Sequence, residues 1–291
     1  MAERCSPIPI EGVHFSENRV EVETGVRLRV LSWRPRQDTG AEPIFFVAGW
    51  VSLVRGWQDL LEKLITSRPV FYIETREKQS AEIDGVLMKP ASFSIPRLAD
   101  DLIVAAAELG LDREPTVLFG SSMGSNAILE ALKWGRLRAR AAFLVGPNAE
   151  FRFPWWGRPL IHLPSWVYTA ARPFVLWYLR NFRVNAREDP DQMARYERTI
   201  RAADPRRIML SARAVIDYDA LPGLESISTP VAVAFAPSDI LHSEDEVQRI
   251  VGAMPYGTAV SCPSNTYMHA AAVAEDLERY LAELDTETEP R

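Results

Sequence analysis

Six short, largely apolar segments, alternating with segments of helical periodicity, constrain the fold of this chain more than any other feature. The apolar segments are 43–50, 69–74, 115–120, 141–147, 229–239 and 257–263. Strands covered by helices on both faces have this composition, because neither face of such a strand meets water. The segments between them, such as 56–67 and 243–254, place apolar residues at the spacing of an amphipathic helix. The alternation predicts an α/β fold with a mostly parallel sheet, helices on both faces and right-handed crossovers.

Two features depart from this alternation. Segment 19–35 alternates apolar and polar residues and reverses at Thr24-Gly25, which predicts a β-hairpin ahead of the parallel strands. Between Asn148 and about Leu224 there is no strand pattern, and this region carries four tryptophans and many arginines on several predicted helices. We therefore predict one α/β core formed by residues 1–147 and 225–291, with a helical insertion at 148–224.

Composition excludes several classes of protein. A net charge of −6 disfavours a nucleic-acid binder, which needs a concentrated basic face. Cys5 and Cys262 form neither a disulfide framework nor a metal spacing, and residues 1–12 lack the apolar core of a secretory signal, so we expect a reducing, cytoplasmic location. The most apolar stretch, 160–182, is interrupted by prolines and an arginine, so we do not expect it to span a membrane.

The sequence GSSMG at 120–124 lies where the predicted strand 115–120 is followed by a predicted helix at about 125–134. Only Ser122 has glycine two positions away on both sides, which gives the pattern G-x-S-x-G. Small neighbours permit a sharp strand-to-helix turn that lifts the serine hydroxyl above the sheet. A glycine-rich turn without chemistry is the alternative, but the position between strand and helix favours a nucleophile.

A nucleophilic serine needs a positioned general base, and the chain offers four histidines. His269 follows the last predicted strand, in a loop that leads into the final helix. This position places it with Ser122 at the carboxyl edge of the sheet, where open α/β sheets bind ligands. His14 precedes the sheet, His162 lies in the insertion and His242 opens a helix. His269 is therefore the candidate base.

The third member of a triad is a carboxylate that orients the histidine. Asp239 closes the predicted strand 229–239 and is the natural candidate. Asp217 and Asp219 precede that strand, and Asp245 lies in the helix after it. Asp219 stays open as an alternative acid. With Asp239, the candidates follow one another along the chain as nucleophile, acid and histidine.

With this order, and with an insertion after the strand that follows the serine turn, nearly the whole chain resembles the α/β-hydrolase family. The resemblance implies that the insertion is a helical cap over the active site. It also implies that the backbone N–H groups of Trp50 and Met123 form the oxyanion hole.

Two segments differ from the usual pattern of that family. Residues 48–50 read Ala-Gly-Trp where the family usually has His-Gly, which puts an indole beside the site. Residues 74–80, ETREKQS, keep Arg76 and Ser80 of a usual Asp-x-Arg-Gly-x-Gly-x-Ser segment but contain no glycine. These differences bear on the subfamily and leave the fold prediction unchanged.

The resemblance implies a serine hydrolase, and a carboxylic ester hydrolase near the monoacylglycerol lipase and esterase branch is the leading expectation. Thioester hydrolysis, acyl transfer and carbon–carbon bond hydrolysis would use the same residues. A non-catalytic protein that binds a small ligand under its cap is the alternative from another class. No cofactor or metal is implied, because no glycine-rich dinucleotide loop and no His/Glu cluster with metal spacing occurs.

The insertion bears on the substrate and on partners. Its aromatic and apolar residues would suit an apolar or lipid-like acyl substrate, although many of them must form the core of the cap itself. Six arginines also lie there and could mark contact with an anionic membrane surface, or else form a solvated face. They are Arg152, Arg158, Arg172, Arg180, Arg183 and Arg187.

Overall fold

The computed structural model describes residues 6–113, 115–151, 157–183, 190–237, 239 and 243–288. The strands are β1 (Val13–Glu23), β2 (Val26–Pro35), β3 (Ile44–Val47), β4 (Val70–Glu74), β5 (Glu82–Ile83), β6 (Val117–Ser121), β7 (Ala141–Val145), β8 (Val231–Phe235) and β9 (Gly257–Ser261). The α-helices are α1 (Gln58–Ser67), α2 (Ile95–Glu108), α3 (Met123–Lys133), α4 (Gly157–Leu160), α5 (Ser165–Tyr178), α6 (Pro190–Ala202), α7 (Pro205–Val215), α8 (Glu244–Ala253) and α9 (Val273–Thr288). Short 3₁₀ helices cover Val54–Trp57, Pro90–Phe93, Leu224–Ser226 and Tyr267–His269, and a π-helical turn covers Leu179–Arg183.

One twisted sheet contains all these strands, in the order β1-β2-β4-β3-β6-β7-β8-β9, with β5 paired to β2. β1 and β2 form the predicted antiparallel hairpin, whose turn Gly25 makes with a φ of 78°. The six predicted apolar segments supply β3, β4, β6, β7, β8 and β9, and the pairs between them are all parallel. β4 lies on one side of β3 and β6 on the other, so the direction of winding reverses between β3 and β6.

Helices cover both faces of the sheet, as predicted, and each face has its own apolar core. α2, α3 and α8 pack on one face, and α1 and α9 pack on the other. Successive residues of one strand point into different cores: Phe45 lies in the first and Phe46 in the second, and both are fully buried. The apolar composition of the central strands follows from this two-sided burial.

Several predicted strands are longer than the observed ones. β3 ends at Val47 although the apolar segment continues to Trp50, and β8 ends at Phe235 although we extended it to 239. In both places the chain turns at the carboxyl edge while its side chains stay buried, as at Ala48 and Ala236. Burial continues past the last ladder hydrogen bond, so composition alone does not locate the end of these strands.

Four helices, α4 to α7, lie between β7 and β8, within the region where we predicted a helical insertion. A small cluster joins these helices to the core, in which Ile208 and Met209 of α7 pack with Val51 and contact Trp50 and Tyr168. The inserted helices therefore rest on the turn that follows β3. The limits of the core and the insertion given above remain a prediction.

Candidate active site

Ser122 sits at a sharp corner between β6 and α3. Its backbone has φ 47° and ψ −120°, a conformation that residues other than glycine rarely adopt. Such strain costs on the order of 1–3 kcal/mol and persists only where the surrounding structure enforces it. The Ser122 N–H donates to the Val145 carbonyl at 2.8 Å, and the Asn126 N–H donates to the Ser122 carbonyl at 3.1 Å. The corner is thus fixed to β7 on one side and to α3 on the other.

Two glycines make this corner possible. A Cβ on Gly124 would lie 2.2 Å from the Val47 carbonyl oxygen and 2.8 Å from that of Ala48. A Cβ on Gly120 would lie 2.9 Å from the backbone atom Ser125 Cα, as well as 2.8 Å from Ile128 Cδ1. These distances are too short for any side chain, so the glycines of G-x-S-x-G are required by close packing of α3 against β3 and β6.

The turn after β3 lies directly against Ser122. The Ser52 N–H donates to the Gly49 carbonyl at 3.0 Å, and Val51 within this turn has φ 47°. A Cβ on Gly49 would lie 3.3 Å from Ser122 Cβ. The turn carries Trp50, and Met123 is the first residue of α3, where a helical N–H has no acceptor within the helix. The two predicted oxyanion donors therefore flank the serine from two different elements.

Two buried charged side chains bind the turn after β3, which the sequence did not lead us to expect. The Lys78 ammonium donates to the Gly49 carbonyl at 3.2 Å and to Thr75 Oγ1 at 2.7 Å. Glu77 Oε1 accepts the Val51 N–H at 3.2 Å and lies 3.1 Å from Lys78 Nζ. Glu77 is fully buried and Lys78 is 5% exposed. These bonds tie the turn after β3 to the segment after β4, and pairing with Lys78 offsets part of the cost of burying the Glu77 carboxylate.

Trp50 anchors the same turn to the inserted helix α7. Its indole N–H donates to Ser211 Oγ on α7 at 2.7 Å, and Ser211 is fully buried. The indole also lines the cavity above Ser122. The indole of Trp50 therefore connects the core to the inserted helices.

His269 lies in the 3₁₀ turn after β9, and two contacts fix its ring. The ring stacks on the indole of Trp57, with centroids 4.2 Å apart and an angle of 26° between the planes. Its Nδ1 lies 2.9 Å from the Asn265 carbonyl oxygen. A carbonyl oxygen only accepts, so this contact implies that Nδ1 carries the proton and that Nε2 of the neutral ring is the basic nitrogen.

Asp239 is 4% exposed and is also bound by Asn265. The Asn265 side-chain amide donates to Asp239 Oδ2 at 2.7 Å. The Oδ1 of Asn265 accepts from Arg195 on α6 at 2.8 Å, and Arg195 also reaches Thr266 Oγ1 at 3.3 Å. One buried asparagine therefore contacts the candidate acid, the candidate base and an inserted helix.

The other titratable candidates lie elsewhere. Asp219 is exposed, and its carboxylate accepts the Leu221 N–H at 2.9 Å, as a turn-forming aspartate does. Asp217, Asp245, His14 and His162 are exposed as well, and none of these five side chains lines the cavity described below. His242, Arg152 and Arg187 lie outside the described residues.

A cavity of about 450 Å³ brings the candidates together. Ser122, Asp239, His269 and Trp50 line it at the carboxyl ends of the strands, next to the reversal between β3 and β6. This is where open α/β sheets bind ligands. Most of the remaining wall is apolar and includes Leu53, Phe151, Tyr178, Leu179, Ile200 and Ile208. Three arginines, Arg55, Arg195 and Arg198, also reach the wall.

Comparison with solved structures identifies the fold. An esterase from Exiguobacterium antarcticum superposes with a TM-score of 0.74 at 14% identity, over 93% of this chain and 100% of that chain. A bromoperoxidase from Bacillus anthracis gives 0.71 at 16% identity, over 93% and 100% of the two chains. An enol-lactonase from Burkholderia xenovorans LB400 gives 0.70 at 16% identity, over 93% and 100%.

The chain has the α/β-hydrolase fold. No protein-family profile and no curated protein sequence matches the chain. At these identities the solved structures bear on the fold alone.

Within the α/β-hydrolase fold of this chain, the sequence did not lead us to four side chains at the candidate site. Three of them line the cavity and one binds the turn after β3. Asn148 Nδ2 lies 3.4 Å from Ser122 Oγ, and its backbone pairs with the Asn126 side chain at 2.7 and 3.1 Å. Asn265, Trp57 and Lys78 were missed for different reasons. An asparagine in a loop carries no distinctive signal, and Trp57 fitted the apolar face of a helix.

Lys78 differs from these residues, because it belongs to a segment whose run of charges is recognisable in the sequence. Residues 74–78, ETREK, place one charged side chain at the last position of a buried strand and three more directly after it. All five residues are 5% exposed or less. Arg76 and the fully buried Asp101 make a bidentate ion pair, with Arg76 Nη2 to Asp101 Oδ1 at 2.7 Å. Burial outweighs this pairing and raises the pKa of Asp101 to about 6.

Proposed function

We propose that this protein is a serine hydrolase of carboxylic esters with an apolar acyl group. The observation that carries the proposal is the strained Ser122 at the wall of a largely apolar cavity that His269 and Asp239 also line. This strain, at a serine between a strand and a helix, is consistent with a hydroxyl held in place for attack. Several solved structures with this fold are named hydrolases and esterases.

In the proposed mechanism, His269 Nε2 takes the proton of Ser122 Oγ while that oxygen attacks the acyl carbon. Asp239 stabilises the imidazolium that forms. The N–H groups of Trp50 and Met123 stabilise the negative charge on the carbonyl oxygen, and the N-terminal end of α3 favours that charge as well. The protonated histidine then gives its proton to the leaving alcohol, and water releases the acid by the reverse sequence.

The cavity supports an apolar acyl chain. Its wall is mostly aliphatic and aromatic, and such sites hold their ligands mainly by burying apolar surface. Chain length should therefore affect the specificity constant more than the identity of the alcohol does.

The test is covalent labelling followed by intact mass spectrometry. We expect a fluorophosphonate to add once to the wild-type chain and once to Ser121→Ala, but not to Ser122→Ala. Ser121 is the matched control because it is the neighbouring serine of the same corner and is buried. Hydrolysis of p-nitrophenyl esters from acetate to dodecanoate should then fall at least about a thousandfold in Ser122→Ala. If the wild-type chain takes up no label, with or without detergent, the proposal fails.

A further inference from the structure

An exposed apolar surface covers part of the inserted helices. We call it the cap patch, and it consists of Leu163, Trp166, Phe174, Trp177 and Phe182. These side chains are 38–70% exposed. Among the described residues, seven large hydrophobic side chains are exposed, and five of them belong to this patch. Scattered exposed apolar residues need no explanation, but a cluster of this kind marks an interaction site.

The helix beneath the patch has its apolar face turned toward solvent. None of the 14 residues of α5 is buried. Trp166, Ala170, Phe174 and Trp177 are exposed and are spaced at three or four residues, so they share one face of the helix. Tyr168, on another side, packs against the cluster that joins α7 to the core. A helix bathed in water has polar residues on its outer face, and this one has aromatic residues there.

Three aromatic rings of the patch contact one another in series. Phe174 and Trp177 stack with centroids 5.6 Å apart, and Trp177 meets Phe182 edge-on at 5.4 Å. Phe174, Trp177 and Phe182 therefore form one continuous surface. Indole and phenyl rings beside arginines are the composition of helices that lie in the interface of a bilayer.

The segment that carries the patch contains basic residues but no acidic ones. Between Glu150 and Glu188 there is no acidic residue, although the whole chain is acidic with a net charge of −6. Arg158 and Arg180 are 56% and 60% exposed, and the carboxylates paired with them lie 3.9 and 3.6 Å away. Exposed pairs at such distances are weak and are screened by salt, and residues 151–187 contain no acidic residue, so this segment carries a net positive charge.

We propose that the cap patch docks on the surface of an anionic phospholipid bilayer. The aromatic rings would enter the headgroup boundary, and the arginines would meet the negative surface potential. No helix in the described ranges combines the length and apolar content needed to cross a bilayer. Tyr178 and Leu179, on the same segment, line the cavity, so docking would bring the cavity next to the lipid. The proposal does not depend on ester hydrolysis.

The test is cosedimentation with vesicles of phosphatidylcholine alone or mixed with phosphatidylserine. We expect the wild-type chain and Ser122→Ala to bind mixed vesicles at least about tenfold more tightly than neutral ones, and to lose this binding as salt rises. The double variant Phe174→Ser/Trp177→Ser should lose at least about tenfold in affinity for mixed vesicles. Tyr256→Ser and Leu87→Ser are matched controls, because both side chains are exposed and lie outside the patch.

A second variant separates charge from apolar contact. Arg158→Gln/Arg180→Gln should reduce the preference for anionic vesicles while keeping the folded state, because both side chains are largely exposed. Equal sedimentation with both kinds of vesicle, or equal binding by the wild type and the Phe174/Trp177 variant, would overturn the proposal. Analytical ultracentrifugation gives another test. A dimer that Phe174→Ser/Trp177→Ser abolishes would also overturn the proposal, because the patch would then be covered by a second copy. Labelling of Ser122 in a chain that binds no vesicle would remove the docking proposal and leave the proposed function standing.

Discussion

Replacing Gly124 by alanine tests the packing that forms the serine corner. The added Cβ would lie 2.2 Å from the Val47 carbonyl oxygen and 2.8 Å from the Ala48 carbonyl oxygen. Both obstacles are backbone atoms at the end of a central strand, so neither can rotate away. Ordinary van der Waals separation requires α3 and β3 to move apart by about 1 Å.

The energetic cost follows from that displacement. Overpacking a well-packed core costs about 1–3 kcal/mol, and an obstacle made of backbone places this case at the upper end, near 3 kcal/mol. The higher helix propensity of alanine offsets up to about 1 kcal/mol. We therefore expect Gly124→Ala to lower the free energy of unfolding by about 2 kcal/mol. Hydrolytic activity should fall as well, since the corner carries Ser122.

Urea unfolding of three chains checks this expectation. The control is Gly252→Ala, because Gly252 is also helical but a Cβ there meets no atom within 4 Å. That variant should be more stable than the wild type by up to about 1 kcal/mol. The two substitutions are chemically identical, so the opposite signs isolate the contact with β3. If both variants unfold with the same free energy, α3 does not press on β3 as described, and our account of the corner is wrong.

Three further predictions concern single side chains. Asn265→Ala should lower kcat/KM for ester hydrolysis by about tenfold to a hundredfold, because a hydrogen bond to a charged group such as Asp239 contributes about 1.5–3 kcal/mol; unchanged kinetics would contradict this role. Because burial raises the pKa of Asp101 from 3.8 to about 6, the folded chain holds that proton more tightly than the unfolded chain does. The free energy of unfolding should therefore fall as pH rises across this window, and the fall should be smaller by up to about 3 kcal/mol in Asp101→Asn, measured by urea titration at several pH values. Cys262 is buried and burial raises the pKa of its thiol to about 12, so in a Cys5→Ser background it should resist a thiol reagent at mildly alkaline pH until urea unfolds the chain; rapid labelling of the folded chain would refute this.

The sequence predicts the sheet and the position of the serine corner well, because both depend on local patterns. A strand buried on two faces must be apolar throughout, and a corner packed as closely as that at Ser122 must have glycine on each side. The antiparallel hairpin follows from strict alternation and from Gly25. These local patterns can be recognised in one sequence, without an alignment of related sequences.

The surroundings of the candidate site could not be predicted, because they depend on contacts between residues far apart in the chain. Trp50 bonds to Ser211, which is 161 positions away, and no local pattern announces this pair. Asn265 meets Arg195 across 70 positions. The ends of β3 and β8 escaped prediction because burial continues beyond the paired residues. The roles of Asp239 and His269 remain predictions that labelling and kinetics must test.

The bond between Arg195 and Asn265 connects α6, which lines the cavity, to the loop that carries His269. A ligand too large for the cavity would displace α6, and such a displacement would remove the Arg195 bonds to Asn265 and Thr266. The loop that carries His269 would then lose these two bonds to α6. Bulky substrates would thus react only after the helix has closed over them, whereas small ones would meet a braced loop from the start. The size of a substrate would set the order of events as well as its affinity.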